Sequence, residues 1–435
     1  MNLAELYKIF SEKSLNISTD TRKILPGDIF FALKGENFDG GEFVNAALEK
    51  GASFIVGENP DMPMDRSVFV PNALAALQEF AQMHRAQINI PVVAITGSNG
   101  KTTTKELARA VLEKKYKVLA SPSSFNNHIG VPLTILSIKP EHEIAVIEMG
   151  DNHEGEIAAL SEIAKPTQGL ITNIGRDHIG EAGGYEANVR AKLELYDYFK
   201  KFGSVNFLNN DDPMLVKNST ELNNSKYVMG EILNAEDFLI LRVDGEEIKT
   251  QFIGGYNIDN FIAAYTIGRY FEVPSVDIIS ALESYEPKNN RSQKIESGTN
   301  TIIMDAYNAN PDSMKLALEN FANMNPSTSL LSTRVEALES RARTKKIVIL
   351  GDMFDLGKFA PEEHKKVLDQ VESLQFESYF AGKEFYELKG DSENIFETTD
   401  KLIEYLKQNK IENSLVLLKG SRGMALEKIL KENLL

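Results

Sequence analysis

One glycine-rich stretch of the chain combines residue types that bind phosphate groups. In "TGSNGKTT", Gly97 and Gly100 flank two polar residues, and Lys101 and Thr102 follow directly. Glycines allow the backbone N–H groups of a turn to point at phosphate oxygens, and the N-terminus of a following helix adds a favourable dipole. The lysine would reach the β- and γ-phosphates, and the threonine hydroxyl would bind Mg²⁺. We therefore predict a nucleotide-binding loop formed by Gly97, Ser98, Asn99, Gly100, Lys101, Thr102 and Thr103.

This loop is a shortened variant of the common P-loop pattern. The common pattern has a glycine five positions before the second glycine, where this chain has Ile95. An ordinary glycine turn with a solvated lysine is the alternative interpretation. Phosphate binding is favoured because the apolar run "VVAIT" precedes the loop and the helical pattern "KELARAVLEKK" follows it.

Acidic and histidine side chains follow two further apolar runs. Glu148 ends the run in "AVIEMG", and Asp177 and His178 follow the next run in "ITNIGRDHIG". P-loop enzymes hold Mg²⁺ with a carboxylate at the end of a neighbouring strand. A solvated carboxylate and a surface histidine are the alternatives, but buried strands rarely carry an unpaired carboxylate. The sequence therefore predicts metal ligation by Thr102, Glu148 and His178 at one edge of a sheet.

Apolar runs that alternate with helical stretches predict how these residues are positioned. Near-continuous apolar runs separated by helices indicate parallel strands buried on both faces, whose ligands bind beyond the carboxyl ends of the strands. The alternation starts again near Pro91 and near residue 291. We predict three α/β domains, with a central P-loop parallel sheet and two smaller flanking domains, over residues 1–88, 89–290 and 291–435. The stretch 325–344 is rich in Ser, Thr and Arg and is interpreted as an exposed loop.

Composition excludes several classes of protein. The 435 residues carry a formal charge of −16, which argues against nucleic acid as the main partner. The chain has no cysteine, so a bound metal must use oxygen and histidine ligands. No apolar stretch is long enough to span a membrane, and the first residues lack the pattern of a secretory signal. We expect a cytoplasmic protein that acts as a monomer.

Ordered motifs along nearly the whole chain resemble those of one enzyme family. "TGSNGKTT", "SFNNHIGVPLT", "IEMG", "TNIGRDHIG" and "GGYNIDNFIAA" are similar, in this order, to the ATP-dependent Mur ligases of peptidoglycan precursor synthesis. The N-terminal "STDTRKILPGDIFFALKGENFDGG" resembles their uridine-nucleotide-binding domain. "DAYNANPDSM", "LGDMFDLG" and "KGSRGMALE" resemble the member that adds a dipeptide. The resemblance implies that ATP activates the carboxylate of UDP-N-acetylmuramoyl-tripeptide as an acyl phosphate, which the amine of D-alanyl-D-alanine then attacks.

The resemblance also implies roles for individual residues of the ATP and metal sites. Lys101, His178 and Lys192 match catalytic positions, and Lys192 falls where the family carries a lysine modified to a carbamate. Two Mg²⁺ sites would use Thr102, Glu148, His178 and the modified lysine. Taken without the resemblance, Lys192 reads as a solvated helix residue. Further nucleotide contacts are implied for Asn257 and Asn260, which could also cap a helix, and for Arg291 and Asp305.

Other polar residues match positions that contact the two remaining substrates. The uridine-nucleotide domain supplies Ser18, Thr21 and Arg22, and the centre of the cleft supplies Asn126 and Asn127. The dipeptide's amide could bond to the side chains of Asn308 and Asn310. Arg422 could hold the terminal carboxylate of the dipeptide, and an exposed surface charge is an equal alternative for it.

Two departures from the family pattern stand out. Gly41 replaces a histidine that usually follows "DG" in the first domain, and the insertion at 325–344 is longer than expected. The nearest alternative function is the ligase that adds a diamino acid, but this chain has "DAYNANPD" where that enzyme has "DYAHTPD", and it lacks the "NPR" motif. A P-loop regulatory ATPase is an alternative from another class. Folylpolyglutamate synthetases share the central fold, but the N-terminal domain argues against them.

Overall fold

Four β-sheets organise the part of the chain that the structure describes. The computed structural model describes residues 1–35, 38–63, 65–287, 290–324, 345–390 and 392–435. The sheets span residues 17–69, 92–226, 230–253 and 293–419. The predicted loop at 325–344 lies outside the described residues. The mixed α/β architecture predicted from the apolar runs is confirmed, whereas the boundaries at 88/89 and 290/291 stay predictions.

The first sheet is small, parallel and covered by helices. Its strand order is β1-β2-β3-β4, and every neighbouring pair is parallel. Asn2 and Glu5 form a capping box that fixes the start of the first helix. Phe10, Phe31 and Phe80 pack edge to face in the core between helices and sheet. The elements are α1 (Leu3–Lys13), β1 (Ile17–Ser18), β2 (Ile29–Phe31), α2 (Val44–Glu49), β3 (Phe54–Gly57), β4 (Ser67–Phe69) and α3 (Ala73–Gln87).

The central sheet has six parallel strands in the order β10-β9-β8-β5-β7-β6. All five residues of β5 and of β7 are buried, as the near-continuous apolar runs predict. Its strands are β5 (Val92–Thr96), β6 (Val118–Ala120), β7 (Ile144–Glu148), β8 (Gln168–Ile171), β9 (Val205–Leu208) and β10 (Asn223–Lys226). Its helices are α4 (Lys101–Leu112), α5 (Gly130–Leu136), α6 (Glu156–Ala164), α7 (Tyr185–Phe202) and α8 (Pro213–Asn218).

A three-stranded antiparallel sheet follows the central sheet and was not predicted from the sequence. Strands β11 (Gly230–Asn234), β12 (Phe238–Val243) and β13 (Glu246–Ile253) pair in chain order. Asp244 and Gly245 form the hairpin turn between β12 and β13, both with positive φ. Helices α9 (Ile258–Tyr270) and α10 (Ser275–Ser284) follow, and α9 packs on α4.

The last sheet is parallel except at one edge. Its order is β14-β15-β19-β16-β17-β18, and only the β14–β15 pair is antiparallel. The strands are β14 (Gln293–Ser297), β15 (Asn300–Asp305), β16 (Lys345–Gly351), β17 (Glu377–Ala381), β18 (Ile395–Phe396) and β19 (Ser414–Lys419). The described helices are α11 (Pro311–Asn323), α12 (Ala360–Ser373), α13 (Lys383–Lys389), α14 (Thr399–Gln408) and α15 (Lys428–Lys431).

Strand order in the central sheet decides which polar loops meet. β5 lies between β7 and β8, so the loops after these three strands share one edge of the sheet. The glycine-rich loop, Glu148 and the segment 172–178 therefore come together. In the part of the chain that the structure describes, no helix combines the length and apolarity needed to cross a bilayer.

Candidate active site

A cleft of about 900 Å³ lies at the carboxyl edge of the central sheet. Its walls include the glycine-rich loop and its neighbours, the segment after β7 with part of α6, the start of α9, residues of the last sheet, and the start of α11. Among the predicted site residues, the cleft is lined by Ser98, Asn99, Gly100, Lys101, Thr102, Thr103, Asn126, Asn127, Glu148, His178, Asn257, Asn260, Arg291, Asp305 and Asn308. The cleft thus joins residues that are far apart in the sequence.

The glycine-rich loop has the conformation that phosphate binding requires. Gly97 and Gly100 both have positive φ, and α4 begins directly after Gly100. A Cβ at Gly97 would lie 2.1 Å from the hydroxyl of Thr172, so only glycine fits there. The ammonium of Lys101 folds back onto the carbonyl oxygens of Gly97 and Ser98. Burial lowers the pKa of Lys101, because loss of water disfavours the charged form.

Glu148 is the centre of a first group of polar residues, which we call the β7 cluster: Thr102, Lys105, Asn126 and Glu148. The hydroxyl of Thr102 and the amide of Asn126 each donate to Glu148 Oε1 at 3.0 Å. The Lys105 ammonium lies 3.5 Å from Oε2, which has no hydrogen-bond partner among the described residues. Glu148 is 1% exposed. A buried carboxylate with an unfilled acceptor atom fits a hard cation such as Mg²⁺.

A second group, the β8 cluster, consists of Asp151, Asp177, Asn188 and Lys192. Lys192 is buried between the two carboxylates, 3.1 Å from both Asp151 oxygens and 3.4 Å from Asp177 Oδ2. Asn188, four residues earlier on α7, accepts a third bond at 2.9 Å. The interpretation of Lys192 as a solvated helix residue, made without the resemblance, is therefore wrong. As an unmodified ammonium it is fully satisfied.

Asp177 links this cluster to the glycine-rich loop. Its carboxylate accepts hydrogen bonds from the Ser98 hydroxyl and from the Asn188 amide. Burial alone would raise the pKa of Asp177, but the ammonium groups of Lys192 and Lys101 hold it at about 2. Asp177 therefore stays ionised, and its Oδ2 atom has no hydrogen bond within the described residues.

His178 lies beside the β8 cluster, at the contact with the last sheet. Its backbone has φ of 50°, a left-handed conformation that is uncommon outside glycine. Its Nδ1 atom lies 3.4 Å from Asp355 and 3.6 Å from Glu181. These three side chains are close enough to share a metal ion. Gly357 and Gly180 touch behind them, where a Cβ at Gly180 would lie 2.4 Å from the Gly357 nitrogen.

The residues predicted near the nucleotide form a connected network. The Asn257 amide donates to Ile253 O at 2.9 Å and makes no cap bond, although the residue stands at the start of α9. Asn260 donates to Asn257 and accepts from the hydroxyl of Thr104. The helix-cap alternative is therefore wrong for the Asn257 side chain, which helps to fix the wall of the cleft instead.

Arg291 brings the start of the last sheet to the glycine-rich loop, and Asp305 is hydrogen bonded to the adjacent Ser292. Arg291 donates to the Thr102 hydroxyl at 3.2 Å and stacks on the Tyr307 ring at 3.7 Å. Asp305 accepts from the buried Lys419 at 2.6 Å. Burial alone would raise the pKa of Tyr307. Hydrogen bonding to Ser124 and the charge of Arg291 outweigh burial, so the pKa is lowered.

Two predicted substrate residues of the last sheet have structural partners. Asn310 caps α11 and donates to Asn99 at 2.8 Å, so it joins that helix to the glycine-rich loop. Arg422 is exposed, follows β19 and lies 5.4 Å from the Tyr307 ring. Neither Asn310 nor Arg422 is part of the cleft wall.

The predicted residues of the first sheet lie outside the cleft wall as well. Ser18 bonds to the Asp20 carbonyl, and Arg22 pairs with the Asp20 carboxylate at 2.9 Å. This pairing lowers the pKa of Asp20 to about 2. Thr21 starts the short helix that follows. At the departure from the family pattern, the Gly41 amide donates to Asp39 at 2.8 Å.

Sequence reasoning missed several buried polar residues of the site. Lys105, Asp151, Asn188 and Lys419 were not proposed, although each is less than 7% exposed and contacts a predicted residue. One signal was available for Lys105. It follows Lys101 by four residues, on the face of α4 that also carries the buried Ala108 and Leu112.

Comparison with known proteins decides the family. Residues 95–268 match the model for the Mur ligase middle domain, and residues 15–97 match that for the Mur ligase family, catalytic domain. A relative from Bacillus subtilis (strain 168), named UDP-N-acetylmuramoyl-tripeptide--D-alanyl-D-alanine ligase, is 34% identical over 96% of this chain and 92% of its own length. The chain belongs to the Mur ligase family.

Solved Mur ligase structures extend the likeness to the fold of the whole chain. MurF from Acinetobacter baumannii is 27% identical with a TM-score of 0.83, covering 96% of this chain and 93% of that chain. MurF ligase from Thermotoga maritima, solved in complex with ADP, is 25% identical with a TM-score of 0.80 and covers 96% of both chains. The predicted family, its three-domain α/β fold and the class of ATP-dependent ligase are confirmed.

Proposed function

We propose that this Mur ligase joins D-alanyl-D-alanine to UDP-N-acetylmuramoyl-tripeptide and converts ATP to ADP and phosphate. The observation that carries the proposal is the single cleft in which the glycine-rich loop, Glu148 and residues of the last sheet meet. The name of the Bacillus subtilis relative supports dipeptide addition over diamino-acid addition. We place the enzyme in the cytoplasm as a monomer, with domains at 1–88, 89–290 and 291–435.

The chemistry explains why ATP is needed. A carboxylate does not condense with an amine in water, because its charge repels the nucleophile and oxide is a poor leaving group. Transfer of the γ-phosphoryl group to the tripeptide carboxylate gives an acyl phosphate, whose leaving group is phosphate. The amine then adds to the acyl carbon, and collapse of the tetrahedral intermediate gives the amide and phosphate.

The glycine-rich loop would supply much of the charge stabilisation for phosphoryl transfer. We assign Lys101 to the β- and γ-phosphates, and the backbone of residues 97–103 to the surrounding phosphate oxygens. Lys101 now bonds to carbonyl oxygens of its own loop, so a nucleotide would draw its ammonium outward. Asn257, Asn260, Arg291 and Asp305 would complete the nucleotide site from the neighbouring walls.

Two magnesium sites fit the residues present. We assign the first to Thr102 and Glu148, and the second to His178 and Lys192. The unfilled acceptor atoms Glu148 Oε2, Asp177 Oδ2 and His178 Nδ1 support cation binding within the described residues. Magnesium, when bound, would offset negative charge on the phosphates.

The surroundings of Lys192 fit an ammonium as they stand. A carbamate would place a third negative charge between Asp151 and Asp177, and a bound divalent cation would return the net charge of the cluster to its unmodified value. We therefore propose that carbamylation of Lys192 and occupation of the second magnesium site occur together.

The two other substrates are assigned to residues of different parts of the chain. Ser18, Thr21 and Arg22 are assigned to the uridine nucleotide, and Asn126 and Asn127 to the peptide beside Glu148. Asn308 lines the cleft and is assigned to the dipeptide, together with Asn310 and Arg422. For Arg22 to bind a phosphate, its ion pair with Asp20 must open or be shared.

Measurement of ADP release with each substrate omitted in turn tests the proposal. Release should require both UDP-N-acetylmuramoyl-tripeptide and D-alanyl-D-alanine, because the acyl phosphate forms on one and is consumed by the other. Rapid ATP hydrolysis with neither present would favour a regulatory ATPase.

A further inference from the structure

Lys105 is a fully buried lysine on the glycine-rich-loop helix. It lies one turn after Lys101 on α4, and its side chain is 0% exposed. Removing an ammonium from water is costly unless the charge is paired and hydrogen bonded. A methionine or leucine would fill this position without that cost. The contacts of the ammonium must therefore explain why a lysine is present.

The ammonium of Lys105 joins three segments of the site. It donates to Ser121 O at 2.7 Å and to Ser123 O at 2.9 Å, both in the loop after β6. It pairs with Glu148 Oε2 at 3.5 Å and with Glu106 at 3.0 Å. One side chain thus connects α4, the end of β7 and the loop 121–127.

The loop 121–127 is held in a conformation that needs support. Ser123 has φ of 49°, in the left-handed region that serine rarely adopts. The Lys105 bond to the Ser123 carbonyl holds this turn directly. Three residues later, Asn126 donates to Glu148 Oε1 at 3.0 Å, and its carbonyl accepts from Gly150 at 2.8 Å. The loop therefore bonds to Oε1 of Glu148, whereas Lys105 faces Oε2.

We propose that Lys105 is a positioning residue that fixes the loop 121–127 and the Glu148 carboxylate against the glycine-rich-loop helix. The inference rests on the proposed function, in which Asn126 and Asn127 contact the peptide while the loop 97–103 holds the nucleotide. Lys105 would set the distance between the peptide carboxylate and the γ-phosphate. Its loss should therefore affect turnover and peptide binding, and leave nucleotide binding nearly unchanged.

The variant Lys105→Met removes the charge and keeps the side-chain length. We expect kcat to fall roughly 10- to 100-fold, because misplacement by about 1 Å costs rates of this order. The KM for UDP-N-acetylmuramoyl-tripeptide should rise about tenfold, whereas the Kd for ADP, measured by calorimetry, should change less than about twofold. Lys114→Met is the matched control, because Lys114 is an exposed lysine just beyond the end of α4.

A double-mutant cycle with Asn126→Ala tests the route of the effect. If Lys105 acts through the loop, Lys105→Met should lower kcat much less in the Asn126→Ala background than in the wild type. Fully additive losses would overturn the proposal. Unchanged kinetics would also overturn it, because Lys105 would then not position the loop. So would an equal weakening of ADP and peptide binding, because Lys105 would then support the nucleotide site as much as the loop.

Folding failure is covered by a second variant. Lys105→Gln keeps a donor for the two serine carbonyls and removes the charge, so kcat should fall by a smaller factor than in Lys105→Met, again with peptide binding weakened more than ADP binding. If neither variant folds, the contacts serve stability and the proposal is wrong. Failure of the proposed function is distinguishable, because it would show in the wild type as no amide product from the two substrates.

Discussion

The two clusters at the carboxyl edge of the central sheet balance charge in different ways. In the β7 cluster, one carboxylate faces one buried lysine, and Glu148 Oε1 also accepts from Thr102 and Asn126. In the β8 cluster, Lys192 lies between Asp151 and Asp177, so that one positive charge faces two carboxylates. Counting only the residues that define each cluster, the β7 cluster has no net charge, whereas the β8 cluster has a net charge of −1 while Lys192 is an ammonium.

The two clusters also differ in chemistry, because the family resemblance implies a modified lysine in the β8 cluster alone. Carbamylation of Lys192 would turn the only cation within the β8 cluster into an anion. A bound metal ion would then offset the added negative charge. In the β7 cluster, the Lys105 ammonium donates to two backbone carbonyl oxygens, which an anionic carbamate would repel, and the family resemblance implies no modified residue there. We expect the β8 cluster, and not the β7 cluster, to respond to carbon dioxide.

The largest effects should come from Lys101→Ala, Glu148→Ala and His178→Ala. Each should lower kcat by at least about 10²-fold, because phosphoryl transfer relies mainly on charge placement. Melting curves should show that the variants stay folded, and steady-state kinetics gives kcat. Near-normal turnover of the His178 variant would remove this residue from the site and leave the β7 cluster as the only supported metal site.

The second largest effect should come from carbon dioxide, through the β8 cluster. Rigorous removal of carbon dioxide should lower wild-type activity several-fold, and bicarbonate should restore it. The residual activity of Lys192→Met should not respond. An electron-density map of an active, substrate-bound crystal should show a carboxylate on Lys192 Nζ near a metal. A bare ammonium in that crystal would refute the carbamate.

A smaller and more selective effect is expected at Arg422. Arg422→Gln should raise the KM for D-alanyl-D-alanine about tenfold, since a charged hydrogen bond to the dipeptide carboxylate would be lost. The KM for ATP should stay unchanged. Arg242→Gln, in the antiparallel sheet, is the matched control for an exposed arginine. Equal kinetics of the two variants would identify Arg422 as a surface charge.

The smallest effect should come from the exposed pair of Asp20 and Arg22. Arg22 lowers the pKa of Asp20 from 3.8 to about 2. The pair therefore stabilises the fold fully at pH values above the pKa of the unfolded chain, and this contribution is lost as pH falls through about 2. Asp20→Asn should change the melting temperature by less than about 2 °C at pH 7, because exposed pairs are screened. At pH 2 and below, the difference should shrink towards zero. A large change at neutral pH would show that the pair is structural.

Local patterns predicted the central part of the fold. The apolar runs predicted β5, β7, β8 and β9, and the strand-end position of Glu148 followed from them. The antiparallel sheet was not predicted, although Asp244 and Gly245 are residues typical of a hairpin turn.

Burial of charged groups could not be read from the same patterns. Lys192 is polar in a helix that also has an exposed face, and only the approach of Asp151 and Asp177 from other segments buries it. Lys105 is similar, because its carbonyl partners lie 16 and 18 residues away in the chain. Such contacts depend on how loops meet at the sheet edge, which spacing along the sequence does not determine.

The identity of the bond that is made tests the central claim most directly. Given UDP-N-acetylmuramoyl-tripeptide, D-alanyl-D-alanine and ATP, the protein should release one phosphate for each pentapeptide formed, measured by coupled phosphate assay and mass spectrometry. Given UDP-N-acetylmuramoyl-dipeptide with lysine or diaminopimelate, it should form no product. Efficient turnover of the second pair with none of the first would contradict the account.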